Sequence, residues 1–513
     1  MVFIQLLFFA LSLMLTLLFF LYAFGHYYLL NAARSYRTPV LPERPTVRPN
    51  VSIQLPVYNE KYVIRRLVAA CAAMAEAYGI DKVTILVLDD SDDDTVLRVD
   101  KVVEEYRKKH FKIEVLRRDN RGGFKAGALQ AALERTEEEF IAIFDADFVP
   151  PADFLVRSLP YFERNESLGI IQGRWGHLNQ NYNLLTRAIG HFLDAHFFVE
   201  QPGRYAAGCF QSFDGSGGLL RKRAILDAGG WRADTLTEDL DLSYRMQIIG
   251  YRILYLRDLV CPGEIPPTVP SFKQQQGRWA CGSLRNARKI LPGLLRDRKI
   301  GSKQRLQAFI HLTAYMLHPL MVMSFLLSCL SVLLGLNVPH SPTANALFLA
   351  PISLFPASVR GLVLLQDLVW LFLAPFIALC TLAPWVSLIS TLKIQGLPLA
   401  RNLPSLFVLF MLGIGLSLSN MREAGKALFT NRTGEFTRTP KYADVKKNGD
   451  WRNRQYQIPL DHLWILEPAF ALLGFGAMGI AIQHSNFTVL FVLMPFALSN
   501  AFVFALTVAQ SGR

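Results

Sequence analysis

The sequence predicts an α/β domain inserted between membrane-spanning α-helices. Apolar residues make up 51% of the 513-residue chain and charged residues only 19%, a balance that is unusual for a soluble protein. Long uncharged runs flank a central stretch of mixed composition. In that stretch short β-rich runs alternate with helical patterns, which is typical of a mainly parallel sheet covered by helices.

The first element is a predicted membrane span over residues 2–24. This run contains no charged residue and is longer than needed to cross a hydrocarbon core of roughly 30 Å. The alternative is a cleaved secretory signal, but no basic segment precedes the run and no small-residue cleavage site follows it. We therefore expect an attached transmembrane helix within residues 1–36, followed by a Pro- and Arg-rich linker at 37–50.

The central domain is predicted over residues 51–305. Its β-rich runs are VSIQLPV, VTILVL, IEVLR and FIAIF, and its helical patterns include KYVIRRLVAACAAMAEAYG and KAGALQAALERTEEE. Because runs of these two kinds alternate along the chain, the sheet is expected to be mainly parallel.

Apolar runs return after this domain. Four of them are long enough to cross a membrane: residues 306–336, 368–392, 462–483 and 486–508. The run at 403–420 is interpreted as an interfacial or re-entrant helix, because a crossing there would place a basic loop opposite the central domain. The predicted divisions are 306–420 for transmembrane and interfacial helices, 421–459 for a cytoplasmic loop, and 460–513 for a closing transmembrane pair.

The net charge of +13 could indicate nucleic-acid binding, but the distribution of the charge favours a membrane protein. Eight Lys or Arg against one Asp occupy residues 285–305, and nine against four acidic residues occupy residues 421–459. This placement beside apolar runs is the positive-inside pattern, so both segments are expected in the cytoplasm. No nucleic-acid-binding motif accompanies the charge. The six cysteines show no spacing typical of a zinc site.

Polar residues follow three of the predicted strands, where ligands of open α/β sheets bind. They are Tyr58 and Glu60, Asp89 and Asp90, and Asp145 and Asp147. One acidic pair is more often a solvated strand end, but three pairs at successive strand ends indicate a site. Carboxylates spaced as D-x-D can hold Mg²⁺ or Mn²⁺, whose remaining positions accept diphosphate oxygens.

Three further motifs supply complementary groups. RRDNRGGFKAGAL contains glycines that allow close backbone approach and places Lys125 where it can meet phosphate. LTEDLDLSYR offers Glu238, Asp239 and Asp241 as proton acceptors, although Thr237 followed by acids is also an ordinary helix cap. FDGSGG contributes Asp214 and Ser216, which could meet acceptor hydroxyls.

The ordered motifs VYNE, DDS, FKAGAL, FDADF, FDGSGG, TEDLD and QQGRW resemble the processive family-two glycosyltransferases. Within that family they are most similar to the cellulose-synthase-like mannan and glucomannan synthases, over about residues 51–290. The resemblance implies a GT-A-like (Rossmann-like) cytoplasmic glycosyltransferase domain in a multi-pass protein of the plasma (inner) membrane. It also implies an Mn²⁺ or Mg²⁺ cofactor, a nucleotide-sugar donor and a growing glycan as acceptor.

The resemblance also suggests roles for individual residues. The catalytic group would be Asp239 as the base, with Glu238 and Asp147. The metal ligands would be Asp145 and Asp147. Nucleotide-sugar contacts would come from Tyr58, Glu60, Asp89, Asp90, Lys125, Asp145 and Arg278. Acceptor contacts would come from Asp214, Ser216, Gln275 and Trp279. The motif EFTRTPK is similar to a gating loop that covers the nucleotide, with Phe436, Thr439 and Lys441 as its marked positions.

The function implied is an inverting polymerase that transfers hexose from GDP-mannose or UDP-glucose into a β-linked mannan, glucomannan or glucan. Its own spans would form a path for the product. Asp214 departs from the family pattern, where Asn or Cys is usual. Two alternatives remain open: a single-transfer glycolipid enzyme similar to ceramide glucosyltransferase, and a non-catalytic membrane transporter or scaffold that only binds nucleotide sugar.

Overall fold

Seven β-strands form one mixed sheet in the computed structural model of the chain. The structure describes residues 2–42, 48–335, 357–430, 439–443, 456, 458–460, 462–484, 486 and 489–511. The strands are β1 Val51–Val57, β2 Val83–Asp89, β3 Lys112–Leu116, β4 Phe140–Ile143, β5 Leu168–His177, β6 Gly218–Arg221 and β7 Arg252–Gly263. Their order across the sheet is β3-β2-β1-β4-β6-β5-β7.

The two halves of the sheet differ in strand direction. Strands β1 to β4 are parallel to one another, as the alternating sequence pattern predicts. Strand β6 runs antiparallel to both β4 and β5, whereas β5 and β7 are parallel. The α/β prediction is confirmed: four of the six strand pairs in the described residues are parallel, and β6 alone makes the sheet mixed.

Helices cover both faces of this sheet. In the domain they are α2 Ile64–Tyr78, α3 Thr95–Arg107, α4 Phe124–Arg135, α5 Phe154–Ser158, α6 Pro160–Glu163, α7 Leu184–Ala195, α8 Gln201–Ala207, α9 Lys222–Asp227, α10 Glu238–Ile248 and α11 Val269–Arg296. A π-helical turn, His196–Glu200, joins α7 to α8. One apolar core packs α2 and α3 against the sheet, and a second packs α4, α9 and α10 on the opposite face.

Further helices, most of them apolar, flank the domain in the sequence. They are α1 Val2–Ala33, α12 Ser302–Leu312, α13 Leu317–Leu333, α14 Ala357–Ile394, α15 Leu399–Gly415, α16 Ser417–Phe429, α17 Leu466–Gln483 and α18 Leu490–Gln510. Within the described residues, five segments are long and apolar enough to cross a membrane: Leu7–Ala33, Ala314–Leu333, Phe376–Ile394, Leu463–Gln483 and Leu490–Gln510.

The second of these segments, Ala314–Leu333, is shorter than the uncharged run at 306–336 from which a span was predicted. The run at 306–336 is divided at Thr313, so that α12 ends before the span begins at Ala314. Helix α12 instead lies against the α/β domain, where Gln304 Nε2 donates to the carbonyl oxygen of Gly208 at 2.7 Å and Ser283 Oγ donates to that of Leu312 at 3.0 Å.

The ambiguous run at 403–420 lies in α15 and α16, which meet at a bend of 43°. This geometry fits a broken span as well as a re-entrant loop. The interfacial interpretation of the run, and the domain boundaries deduced with it, stay predictions.

A buried ion pair connects the domain to the closing membrane helices. Lys273 Nζ on α11 lies 2.5 Å from Glu467 Oε1 on α17, and both side chains are almost fully buried. Charged groups inside apolar helices are tolerated when they pair in this way. The pair explains why the acidic Glu467 stands inside the predicted span at 462–483.

Helix α8 packs closely against α1 at Gly203. A Cβ atom there would collide with the carbonyl oxygen of Leu29 and lie 3.0 Å from its carbonyl carbon. Because both are backbone atoms, neither helix could relieve the overlap by a side-chain rotation. By contrast, a Cβ at Gly425 in α16 would meet nothing within 4 Å.

We therefore expect Gly203→Ala to destabilise the protein by about 1–3 kcal/mol, the usual range for overpacking. Gly425→Ala should be neutral or slightly stabilising, because alanine favours helix over glycine. Apparent melting temperatures of both variants in detergent would check this. A Gly203→Ala protein that melts with the wild type would show that α1 and α8 are not packed this closely.

Candidate active site

The polar residues that follow β1, β2 and β4 meet at one edge of the sheet. These strands are adjacent and parallel, and the register pairs Val57 with Asp89 and Gln54 with Ile143. Their carboxyl ends therefore bring Tyr58, the pair Asp89 and Asp90, and the D-x-D residues to the same side, as the sequence pattern predicts.

Both acids at the end of β2 are paired with arginines from the segment after β3. Asp89 is buried, and its Oδ2 accepts from Arg117 Nε at 3.0 Å. Asp90 Oδ1 accepts from Arg118 Nε, also at 3.0 Å. Sequence reasoning missed these arginines, although both stand in the RRDN stretch. Nucleoside contacts from Asp89 and Asp90 stay predictions, and these ion pairs show that the acids also hold the loop after β3.

Tyr58 lies under an arginine at the end of β1. The guanidinium carbon of Arg121 is 3.2 Å from the centroid of the Tyr58 ring, and Tyr58 Oη donates to Asp92 Oδ2 at 3.2 Å. A planar cation over an aromatic face creates a flat surface beside the strand end.

Lys125 joins three of the motifs. Its Nζ lies 2.6 Å from Asp145 Oδ1, donates to the Gly215 carbonyl oxygen at 2.8 Å, and is 3.8 Å from Glu238 Oε1. Burial lowers the pKa of Lys125, but the neighbouring carboxylates outweigh burial and raise it above its usual value. Lys125 thus stays charged and draws together the loops after β3, β4 and the FDGSGG turn.

Asp147 bonds to a second lysine, from the predicted gating loop. Its Oδ2 accepts from Lys441 Nζ at 2.8 Å and from the backbone N–H of Glu264 at 2.8 Å. Burial lowers the pKa of Lys441, but Asp147 leads the carboxylates that raise it overall. Thr439 Oγ1 accepts from Arg278 at 3.4 Å, whereas Phe436 lies outside the described residues.

Glu264 is a site residue that sequence reasoning missed. Its Oε2 accepts from the backbone N–H groups of Tyr442 and Ala443, each at 3.2 Å. Its Oε1 lies 2.6 Å from Arg66 Nη2. Glu264 therefore attaches the segment containing Lys441 to the end of β7. No local motif marks it, since its partners are distant in the sequence.

The D-x-D carboxylates have the chemistry of a divalent-cation site. The described residues contain no cluster of three or more His, Cys, Asp or Glu side chains placed to hold a metal. Asp145 and Asp147 each accept a hydrogen bond from a lysine ammonium, so each carboxylate already has a cation as its neighbour. Such a pair fits Mn²⁺ or Mg²⁺ when the remaining ligands are phosphate and water oxygens.

The acidic motif TEDLD begins α10, and its members point to different partners. Asp241 bonds to Arg245 Nε at 2.7 Å and to Lys289 Nζ at 2.7 Å, away from Lys125. Thr237 stands at the N-cap but makes no capping bond; its hydroxyl accepts from Asn286 Nδ2 at 3.0 Å. Thr237 therefore occupies the N-cap position, as the alternative of an ordinary helix cap predicts, but its hydroxyl does not form the capping hydrogen bond.

Asp239 has the electrostatic environment of a general base. Burial, followed by repulsion from Glu238, raises the pKa of Asp239 to about 8, although Lys125 acts in the opposite direction. Burial also raises the pKa of Glu238. A carboxyl whose pKa lies near neutrality can both accept and hold a proton, as general-base catalysis requires.

Helix α11 carries the QQGRW motif beside these acids. Burial lowers the pKa of the Arg278 guanidinium, and nearby Glu238 and Asp145 partly offset this effect. Trp279 packs against an apolar cluster that includes Phe272. Gln275 is buried, and its side-chain oxygen has no hydrogen-bond partner among the described residues.

A cavity of about 1560 Å³ extends from Asp239 and Asp214 into the membrane helices. Its wall includes Trp279, and at the membrane end it includes Phe8 of α1 and Phe491 of α18. The predicted acceptor residues Asp214 and Trp279 thus share one space with Asp239, the predicted base. Ser216 does not line it; its Oγ accepts from the backbone N–H of Asp145 at 3.0 Å and fixes the D-x-D turn.

Residues 49–282 match the family model described as "Glycosyltransferase like family 2". Among curated relatives, glucomannan 4-beta-mannosyltransferase 2 of Arabidopsis thaliana is 39% identical over 256 residues, which is 49% of this chain and 48% of that protein. Probable glucomannan 4-beta-mannosyltransferase 4 of Oryza sativa subsp. japonica is 35% identical over 296 residues, 57% of this chain and 54% of that protein.

The chain thus spans about half the length of the curated relatives it matches. Among solved structures, a mannosyltransferase from Pyrobaculum calidifontis in complex with GDP-Man and Mn²⁺ aligns with a TM-score of 0.48 and 21% identity, over 74% of this chain and 96% of that one. The family resemblance stated from the motifs is confirmed for the domain.

The raised pKa of Asp239 predicts how transfer depends on pH. A base must be deprotonated to act, so kcat/KM should rise about tenfold per pH unit at low pH and level off above a pH of about 8. Asp239→Asn should bind donor but lose transfer. Rates measured across this range, with donor binding measured separately, test the assignment. A flat wild-type profile, or an active Asp239→Asn variant, would assign the base elsewhere.

Proposed function

We propose that the chain is an inverting, processive β-glycosyltransferase that polymerises hexose from a nucleotide sugar and passes the product through its own membrane helices. One observation carries the proposal: a single cavity joins Asp239, the base, to the helices long enough to cross a membrane. The names of the mannosyltransferase relatives favour mannose over glucose as the transferred sugar. GDP-mannose is therefore the first donor to test and UDP-glucose the second.

On the donor side, Lys125 and Arg278 supply positive charge next to Asp145. Either cation can bind phosphate oxygens, and a guanidinium can do so with two hydrogen bonds. Mn²⁺ or Mg²⁺ held by Asp145 and Asp147 would neutralise charge on the leaving diphosphate. Tyr58 and Arg121 offer a flat surface for the nucleoside.

On the acceptor side, Asp239 takes the proton of the acceptor hydroxyl. The hydroxyl oxygen then attacks the anomeric carbon on the face opposite the departing diphosphate, and this displacement inverts the configuration at that carbon. Trp279, in the cavity wall, offers an apolar face on which a pyranose ring can stack. A β-linked product follows from an α-linked donor.

The orientation in the membrane follows from the charge pattern. Basic residues concentrate at 285–305 and at 421–459, which supports a cytoplasmic position for the transferase domain and for the segment with Lys441 in a protein of the plasma (inner) membrane. The bond between Lys441 and Asp147 supports this arrangement, because it requires both segments on one side.

A single-transfer glycolipid enzyme is the second candidate function. The cavity favours it in one respect: most of its wall within the membrane helices is apolar, as a lipid tail would require. The size of the product separates the two candidates. A non-catalytic nucleotide-sugar binder would give no product at all.

The metal assignment predicts the behaviour of Asp147→Asn. This variant should lose most turnover, and EDTA should silence the wild type until Mn²⁺ or Mg²⁺ is restored, because charge on the leaving group would no longer be neutralised. Asp153→Asn is a matched control, since that side chain is 56% exposed and forms an ion pair with Arg157 one helical turn away. Full activity of the wild type in EDTA would refute the metal assignment.

The sugar platform predicts the behaviour of Trp279→Ala. Loss of a stacking contact of about 1–3 kcal/mol should reduce polymer yield and chain length while leaving donor affinity nearly normal. Trp464→Ala is a matched control, because Trp464 is partly exposed and lies outside the cavity wall. Incubation with radiolabelled GDP-mannose or UDP-glucose, product sizing and linkage-specific glycanases give the readout. One-sugar products that partition into organic solvent would instead establish the glycolipid function.

A further inference from the structure

A second acid, Asp214, is held next to Asp239, the proposed base. The residues on both sides of Asp214 meet Asp239. Ser243 Oγ accepts from the Phe213 N–H at 2.8 Å and donates to the Asp239 carbonyl oxygen at 2.6 Å. On the other side, a Cβ atom at Gly215 would lie 2.5 Å from Asp239 Oδ2. Asp214 is therefore fixed beside the base, and both acids line the same cavity.

The negative charge of Asp214 works against the base. Burial and Glu238 lead the effects that raise the pKa of Asp239 to about 8, and Asp214 adds to them. A base whose pKa lies further above neutrality is protonated in more of the molecules, and so fewer of them can accept a proton. A positive charge that compensates Asp214 therefore keeps more of the base active at neutral pH.

His196 supplies such a charge from the π-helical turn His196–Glu200. Its Nε2 lies 3.2 Å from Asp214 Oδ1, and its Nδ1 lies 3.2 Å from Glu200 Oε2. Burial lowers the pKa of His196, but Asp214 and Glu200 outweigh burial and raise it to about 10. The ring is therefore an imidazolium at neutral pH, and each of its nitrogens donates to one carboxylate. Glu200 thereby fixes the orientation of the ring toward Asp214.

The other partners of Asp214 are neutral. Ser212 Oγ donates to Asp214 Oδ1 at 3.0 Å, and Gln201 Nε2 donates to Asp214 Oδ2 at 2.9 Å. Within the part of the chain that the structure describes, His196 is the one cation that forms an ion pair with Asp214. Loss of the imidazolium would thus leave hydrogen bonds to the carboxylate but no compensating charge.

Further charged and titratable groups face these residues from several elements. Those around Asp239 are Glu238 on α10, Lys125 on α4, Arg278 on α11 and Asp214. Those around His196 and Glu200 are Asp214, His26 on α1, Arg204 on α8 and His311 on α12. Burial lowers the pKa of His311 well below its usual value, so that ring adds no charge near Asp214 at neutral pH.

We propose that His196 is a positioning residue for transfer: it holds Asp214 in place beside Asp239 and compensates its charge, so that Asp239 can accept a proton near neutral pH. This inference rests on the proposed function, because it takes Asp239 as the base. No bond of the substrate forms or breaks at His196. The imidazolium acts on the reaction through Asp214.

The dependence of transfer on pH separates a compensating charge from support of the fold. His196→Gln can still donate a hydrogen bond to Asp214 but carries no charge. We expect the rising limb of its kcat/KM profile to move up by about one pH unit, the low end of the effect of a neighbouring charge. The rate at pH 7 should fall about tenfold and recover at high pH. An unmoved limb, or a loss that is equal at every pH, would overturn the proposal. His484→Gln is the matched control, because that side chain is exposed and lies outside the cavity wall.

A variant of Asp214 tests the route of the effect. Asp214→Asn removes the negative charge, so the limb should move to lower pH. In this background His196→Gln should move the limb much less than in the wild type, since the carboxylate that His196 compensates is absent. An equal shift in both backgrounds would show that His196 does not act through Asp214. If His196→Gln does not fold, Asp214→Asn decides the question, and a limb that stays or moves up would overturn the proposal.

Infrared titration of Asp239 separates this proposal from the proposed function, because it needs neither donor nor acceptor. In His196→Gln the protonated carboxyl band of Asp239 should disappear about one pH unit higher than in the wild type. If the band moves in a protein that transfers no sugar, the proposed function fails and the effect of His196 on Asp239 stands. If the wild type transfers sugar and the band does not move in His196→Gln, the positioning role is refuted and the function stands.

Discussion

The ion pair between Lys125 and Asp145 is the interaction on which the site depends. Asp145 and the pair Glu238 and Asp239 are acidic groups from two segments far apart in the sequence, and in a poorly solvated place their ionised forms would repel one another. Lys125 lies 2.6 Å from Asp145 and 3.8 Å from Glu238, so one buried cation holds the end of β4 and the start of α10 together. It also limits how far burial can raise the pKa of Asp239.

A second lysine repeats this arrangement on the other D-x-D residue. Lys441 binds Asp147, and Glu264 fixes the backbone that carries it. The two lysines meet the two carboxylates that the family resemblance assigns to a metal. The site is thus an acidic centre matched with cations, which suits a reaction that releases a multiply charged diphosphate. The cavity behind it leads to the membrane helices.

Much of this arrangement could be predicted from the sequence, because its signals are local. Apolar runs that end in Asp89 or Asp145 mark both the strands and the site edge. The antiparallel β6 could not be identified, since its four residues follow a glycine-rich turn without a distinctive pattern. Long-range partners were also missed: Glu264 with Tyr442, and Arg117 with Asp89. Burial, which decides the behaviour of Asp239, exists only once the chain has folded.

Infrared difference spectroscopy of carboxyl groups tests the central claim most directly. The claim is that burial and Glu238 make Asp239 a base that titrates near neutral pH. The wild type should show a protonated carboxyl band that disappears as pH rises through about 8, and this band should be missing from Asp239→Asn. Lys125→Met should move the transition to higher pH. A wild-type protein whose carboxyl groups all titrate in the ordinary range near about pH 4 would contradict the account.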